Sequence, residues 1–201
     1  MLSGILPVDK PAGFTSFDVI AKLRGVTHTR KIGHSGTLDP MATGVLPLFF
    51  GTATKACSIL PNEDKRYAAS LRLGMTTDTE DITGKILSEA PSAVTEERFR
   101  AVAAEFVGAF MQTPPMYSAV KVGGRPLYDL ARKGREVERP AKEIMVYSLD
   151  VTAFDEEAQT AQIEVFCGKG TYIRTLIADM GRILGCGAVM TALRRTEAGG
   201  F

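Results

Sequence analysis

From Lys65 to Leu73 the chain alternates, with Tyr67, Ala69, Leu71 and Leu73 on one side and polar or small residues between them. A period of two over that length predicts a strand. The run VLPLFFG at 45–51 is continuously apolar and predicts a buried strand, and TKACSIL at 54–60 a short helix. Elsewhere the apolar residues recur at helical spacing. Ser16 is placed to cap a helix carrying Phe17, Ile20, Ala21 and Leu23. Thr95 caps another, with Glu96 and Glu97 in its first turn and Phe99, Val102, Ala103 and Phe106 on its core face. A polar, turn-rich stretch, TTDTEDITG at 76–84, leads into a short strand in GKILSEA. MYSAVKV predicts a strand, Gly123–Gly124 a turn, and Pro126 the first position of a helix. EIMVYSLDVTAF and AQTAQIEVFC flank an acidic turn at Asp155–Glu157 and should form a hairpin, and TYIRTLIADMGRILG predicts the last helix. Strands adjacent in sequence, with helices at irregular intervals, predict an α+β fold with a mixed, mostly antiparallel central sheet flanked by helices and loops.

Composition narrows the class. At 201 residues with 45% hydrophobic and 23% charged residues, the chain is long enough for a real core and predicts one globular domain over 1–201. No apolar stretch approaches the ~18 residues of a membrane span. The N-terminus lacks the basic flank of a signal peptide, so a cytoplasmic protein is expected. A monomer with no membrane partner is expected as well. Three scattered cysteines and two histidines make neither a disulfide framework nor a zinc site, so neither metal nor cofactor is expected.

The net charge of +1 conceals segregation. Residues 22–34 carry Lys22, Arg24, Arg30, Lys31 and both histidines with no acid. Residues 121–142 hold seven Lys or Arg against three acids, and 167–195 hold five against one. Three basic segments beside glycine-rich loops predict a polyanion-binding face, of which RNA is the natural ligand.

Three stretches carry candidate chemistry. GKGT at 168–171 lacks the upstream glycine and the spacing of a phosphate-binding loop, though an anion could still meet that helix start. If Thr171 is the cap, Arg174 falls in the first helical turn, where the macrodipole disfavours a cation. Either its side chain runs out into water or a carboxylate or phosphate faces it. Asp39 stands before Pro40 inside GHSGTLDPMATG, and an aspartate in such a loop commonly caps its own backbone. On spacing alone His34 and Tyr67 are ordinary loop and strand residues.

Together these pieces mean more. KPAGFTS at 10–16, GHSGTLDPMATGVLPL at 33–48, KRYAA at 65–69, TPPMYSAVKVGGRPLYDLAR at 113–132, GKGTYIRTLIADMG at 168–181 and LRRTEAGGF at 193–201 occur in one order. The set resembles the TruB-type family of tRNA pseudouridine synthases from near the first residue to the last, with Ser35 where threonine is usual and Gly168 where serine is common. The resemblance implies the pseudouridine synthase fold and isomerisation of the T-loop uridine at position 55 of tRNA. It implies Asp39 as nucleophile, Arg174 as its ionic partner, and Tyr67 against the target base. It further implies that Leu193 closes the apolar side of the pocket and that His34 fills the space of a flipped base. The T-arm backbone would be held by the basic segments, with Lys31, Lys121, Arg125 and Arg132 as contacts. Lys10, grouped with these contacts, is expected mainly to scaffold the loop. Family members continue into a small PUA-like RNA-binding domain after LRRT, which is expected to be absent from this chain. The alternative is a tRNA-binding or tRNA-folding module of the same fold whose catalysis is secondary or lost.

Overall fold

The computed structural model describes residues 2–59 and 63–201. In chain order the elements are β1 (Gly4–Lys10), α1 (Ser16–Thr27), β2 (Ile32–His34), β3 (Thr43–Phe50), a 3-10 helix (Gly51–Ser58), β4 (Lys65–Leu73), β5 (Met75–Thr77) and β6 (Ile86–Glu89). Then come α2 (Glu96–Ala104), β7 (Gly108–Gln112), β8 (Lys121–Val122), β9 (Arg125–Pro126), α3 (Leu127–Ala131), β10 (Lys142–Asp155), β11 (Thr160–Cys167), α4 (Ile173–Leu184) and β12 (Ala188–Ala198). The chain divides into two units, one of residues 1–68 and 192–201, the other of residues 69–191. Strands β4 and β12 each run through both units.

In the first unit β1 pairs antiparallel with β3, β2 pairs with the far end of β3, and β12 adds in parallel through Arg194↔Thr43 and Arg195↔Gly44. The predicted 45–51 strand is β3. It is apolar without alternation because Leu46 to Phe50 are buried without a break. Gly44 is where β3 and β12 come closest. Its φ is +104°, and a Cβ there would lie 2.1 Å from the Arg195 carbonyl oxygen. Gly44→Ala is therefore expected to cost on the order of 3 kcal/mol or more, read as a lowered Tm or as loss of folded protein.

In the second unit the strand order is β4-β11-β10-β7, with β10 antiparallel to both neighbours. The alternation seen in the sequence is the pleat of β4: Tyr67, Ala69, Leu71 and Leu73 are all buried. The core of this unit is made by Phe99 and Val102 of α2, Ile163 and Val165 of β11, and Leu176, Ile177 and Met180 of α4. Phe99 stacks obliquely on Phe154, ring centroids 5.1 Å apart. The hairpin of β10 and β11, the Thr95 cap and the final helix all form where the pattern predicts them.

Three helix starts and one helix face differ from expectation. Thr15, not Ser16, caps α1: its hydroxyl accepts the Asp18 N–H (3.0 Å) while the Asp18 carboxylate accepts the Thr15 N–H (2.8 Å). This reciprocal box wins because Thr15 and Asp18 have the spacing it needs. It frees Ser16 for another use. Phe17 points outward, 61% exposed, and the buried face is Ser16, Val19 and Ile20. Pro126 is the N-cap of α3 rather than its first residue, because it ends the two-residue strand β9. Tyr172, not Thr171, precedes α4; the buried Gln112 amide accepts the Tyr172 N–H (2.8 Å) and donates to its carbonyl (3.1 Å), doing a cap's work from another element. The 54–60 segment forms a 3-10 helix over Gly51–Ser58, and Leu60 lies outside the described residues.

Candidate active site

The sequence GHSGTLDPMATG becomes a loop between β2 and β3 whose backbone is bonded almost residue by residue. The Ser16 hydroxyl accepts the Leu38 N–H (2.9 Å) and donates back to the Leu38 carbonyl (3.3 Å). The Asp39 carbonyl accepts the Ala42 N–H (3.0 Å), closing a turn over Pro40. The Pro40 carbonyl accepts the Gly13 N–H (2.8 Å). Leu38 is buried beneath the loop, whereas Asp39 is half-exposed. A carboxylate on a loop fixed on both sides is held in place without giving up its own access to a ligand.

Lys10 is 0% exposed at the end of β1. Its ammonium donates to the carbonyls of Phe14 (2.6 Å), Pro11 (2.9 Å) and Pro40 (3.3 Å), tying the KPAGFTS turn to the Asp39 loop. Burial pulls its pKa down, and the Asp39 charge, with a smaller contribution from Asp18, opposes that shift in part, so Asp39 is the main anion offsetting this buried cation. A fully enclosed Lys10 holds the loop from within. His34, at the end of β2, is half-buried, and burial together with the Arg195 charge lowers its pKa, which keeps the imidazole neutral at pH 7. Its Nδ1 has no hydrogen-bond partner among the described residues. Tyr67 on β4 and Leu193 on β12 are buried in this same unit, and the Leu193 carbonyl accepts from Thr43 Oγ1 at 3.5 Å.

In the second unit Arg174 is 4% exposed, so it does not extend into water. Its guanidinium donates to the carbonyls of Thr79 (2.7 Å) and Tyr117 (2.9 Å) and lies 3.8 Å from Asp81. Asp81 is itself 4% exposed, and its other oxygen accepts from Thr79 Oγ1 (2.9 Å), Thr83 Oγ1 (2.6 Å) and the Thr83 N–H (2.9 Å). Glu80, between them, has φ +65° and accepts a hydrogen bond from Thr175 Oγ1 (2.5 Å); burial raises its pKa against the pull of Thr175 and Arg174. The polar stretch TTDTEDITG is thus more than a turn: its Asp81 orients the arginine at the start of α4. Nothing in the sequence separates Asp81 from an ordinary turn aspartate, because its burial comes from residues ~90 positions away.

Lys121, Arg125 and Arg132 are exposed on the β8–β9 hairpin and just after α3 in the second unit, with Arg132 over the Tyr128 ring at 5.6 Å. Lys31 is exposed in the first unit. No cluster of potential metal ligands occurs among the described residues, and no described helix is long and apolar enough to cross a membrane.

Residues 24–173 match the model of the TruB family pseudouridylate synthase N-terminal domain. The chain belongs to that family. Residues 174–201 match the tRNA pseudouridylate synthase B C-terminal domain. Among curated TruB relatives, the tRNA pseudouridine synthase B of Ralstonia nicotianae is 50% identical over 98% of this chain and 63% of its own length. That of Stutzerimonas stutzeri is 49% identical over 100% of this chain and 65% of its own. The chain therefore spans just under two thirds of these relatives. A crystal structure of a Cbf5–Nop10–Gar1 complex contains a chain 32% identical, with a TM-score of 0.75 over 97% of this chain and 48% of that one. An H/ACA RNP bound to a substrate RNA containing 2′-deoxyuridine contains another, 30% identical, with a TM-score of 0.71 over 98% and 47%. The fold is that of the pseudouridine synthases, as its TruB resemblance implies.

Proposed function

We propose that this chain isomerises uridine to pseudouridine in the T loop of tRNA, at position 55, working as a cytoplasmic monomer. The observation that carries the reading is the Asp39 loop, in which one half-exposed carboxylate is presented by a backbone bonded through Ser16, Lys10 and Gly13. The names of the TruB relatives supply the reaction and the RNA.

In the proposed reaction the N1–C1′ bond breaks, the uracil turns, C5 bonds to C1′, and the C5 hydrogen leaves as a proton while N1 gains one. Atoms and electrons balance within the substrate. Asp39 is the nucleophile, attacking either C1′ or the base, and the family resemblance makes Arg174 its ionic partner. Tyr67 lies against the base, and its phenol is the candidate acceptor of the C5 proton. A T-loop uridine must leave its stack before it can react. Neutral His34 is suited to fill the vacated space, since an uncharged ring stacks on bases without an ion's desolvation cost.

The test is tritium release from C5-labelled uridine in a T-arm stem-loop. Release by this chain supports the isomerase, and binding of the RNA without release would favour a tRNA-binding module. RNA affinity should also fall steeply with salt. Each phosphate contact contributes a slope of about −0.7 to −0.9 in log K against log salt. Arg125→Gln is expected to flatten that slope by up to one contact, and an unchanged slope would remove Arg125 from the interface.

A further inference from the structure

Arg195 is 1% exposed, on the face of β12 that the sequence pattern would reserve for an apolar residue. Its Nε donates to the Val45 carbonyl (2.7 Å) and its Nη2 to the Gly36 carbonyl (3.1 Å). These carbonyls stand at the two ends of the loop that carries Asp39. One planar guanidinium therefore spans the mouth of that loop. Gly36 makes room for it: φ there is +75°, and a Cβ would lie 3.2 Å from Arg195 Nη1 and 3.1 Å from Lys65 Cε. Among the described residues no carboxylate lies within ion-pair distance of Arg195; the charged and titratable groups around it include Lys10, on which Asp39 also acts, His34, and Lys65 beside Gly36. A buried cation served only by carbonyls is an expensive way to fill space. An apolar side chain of similar volume would fill it without that cost but could not join the two carbonyls.

We propose that Arg195 is a positioning residue for the reaction: by clamping the Gly36 and Val45 carbonyls it fixes the ends of the Asp39 loop, while Lys10 fixes its crest at Pro40. It touches no reacting atom and acts through Asp39. This deepens the isomerase reading and rests on it for the reaction, though the clamp itself can be tested without any reaction. The forked guanidinium matters as much as the charge, because it reaches the two carbonyls from two separate nitrogens, Nε and Nη2, whereas an ammonium radiates all its donors from one atom and would have to sit within reach of both carbonyls at once.

Arg195→Lys separates fork from charge. The expected result is a single-turnover rate of tritium release lowered by roughly 10–100-fold, with T-arm affinity within twofold of the parent. Hydrogen exchange supplies the readout that needs no activity. Amides of residues 36–45 should exchange faster in Arg195→Lys, while those of residues 69–191 keep the parent's rates. Arg194→Lys, next along the strand but exposed and paired with Asp9 at 2.8 Å, should leave both readouts unchanged. Unchanged exchange over 36–45, or a rate that falls only with affinity, overturns the proposal. If Arg195→Lys does not fold, Arg195→Gln is read by the same two measurements. If the parent itself releases no tritium, the isomerase reading fails and the exchange comparison still decides the clamp.

Discussion

Asp39→Asn is expected to abolish tritium release, lowering the single-turnover rate by ~10⁴-fold or more, which corresponds to ~5.5 kcal/mol of barrier. Asparagine has nearly the same shape but is neutral and cannot serve as a carboxylate nucleophile. The bonds that shape the loop run through the Leu38 amide, the Asp39 carbonyl and the Pro40 carbonyl, all of which survive the substitution. Binding of a T-arm stem-loop should stay within about threefold, because the proposed RNA contacts lie on other residues. Lys10 should register the change, since it loses the anion that offsets its burial. Retention of a tenth of the parent rate would take Asp39 out of the chemistry.

Arg174→Lys should be nearly as damaging. The native guanidinium holds two carbonyls and faces Asp81, a geometry that one ammonium cannot reproduce. Under the proposed function, misplacing this charge is expected to lower kcat by ~10²–10³-fold. Folding stability should fall by ~1–3 kcal/mol as a buried carbonyl loses its donor. RNA affinity should hold, and a variant with normal kcat and weakened affinity would make Arg174 a binding residue instead. Alanine is the poorer choice for this measurement because it would leave Asp81 buried without its cation.

Local pattern and site were legible to different depths. The alternation of β4, the uninterrupted run of β3 and the periodicity of α4 are direct prints of burial, so the sequence exposes them. Strand β12 is hidden because Arg195 occupies an inward position and breaks the apolar alternation begun by Leu193. The cap of α1 lies one residue from the expected place because Thr15 and Ser16 are both good caps, and the reciprocal box between Thr15 and Asp18 decides between them, leaving Ser16 for the Leu38 contact 22 residues away. Motifs single out Asp39, Lys10 and Arg174 as candidates, whereas the buried places of Asp81 and Arg195 need coordinates. Both are polar groups whose burial is created by distant chain, and no local spacing signals that.

The clamp on the Asp39 loop also bears on how the molecule is made. Gly36 and Arg195, which it joins, are 159 residues apart in the chain. On a ribosome the loop would emerge early and wait, unfastened, through the whole of residues 69–191 before its arginine arrived. Closing so long a gap costs entropy and slows folding. A nascent chain cut short before β12 could therefore carry every residue of the Asp39 loop and still hold its carboxylate in no fixed place.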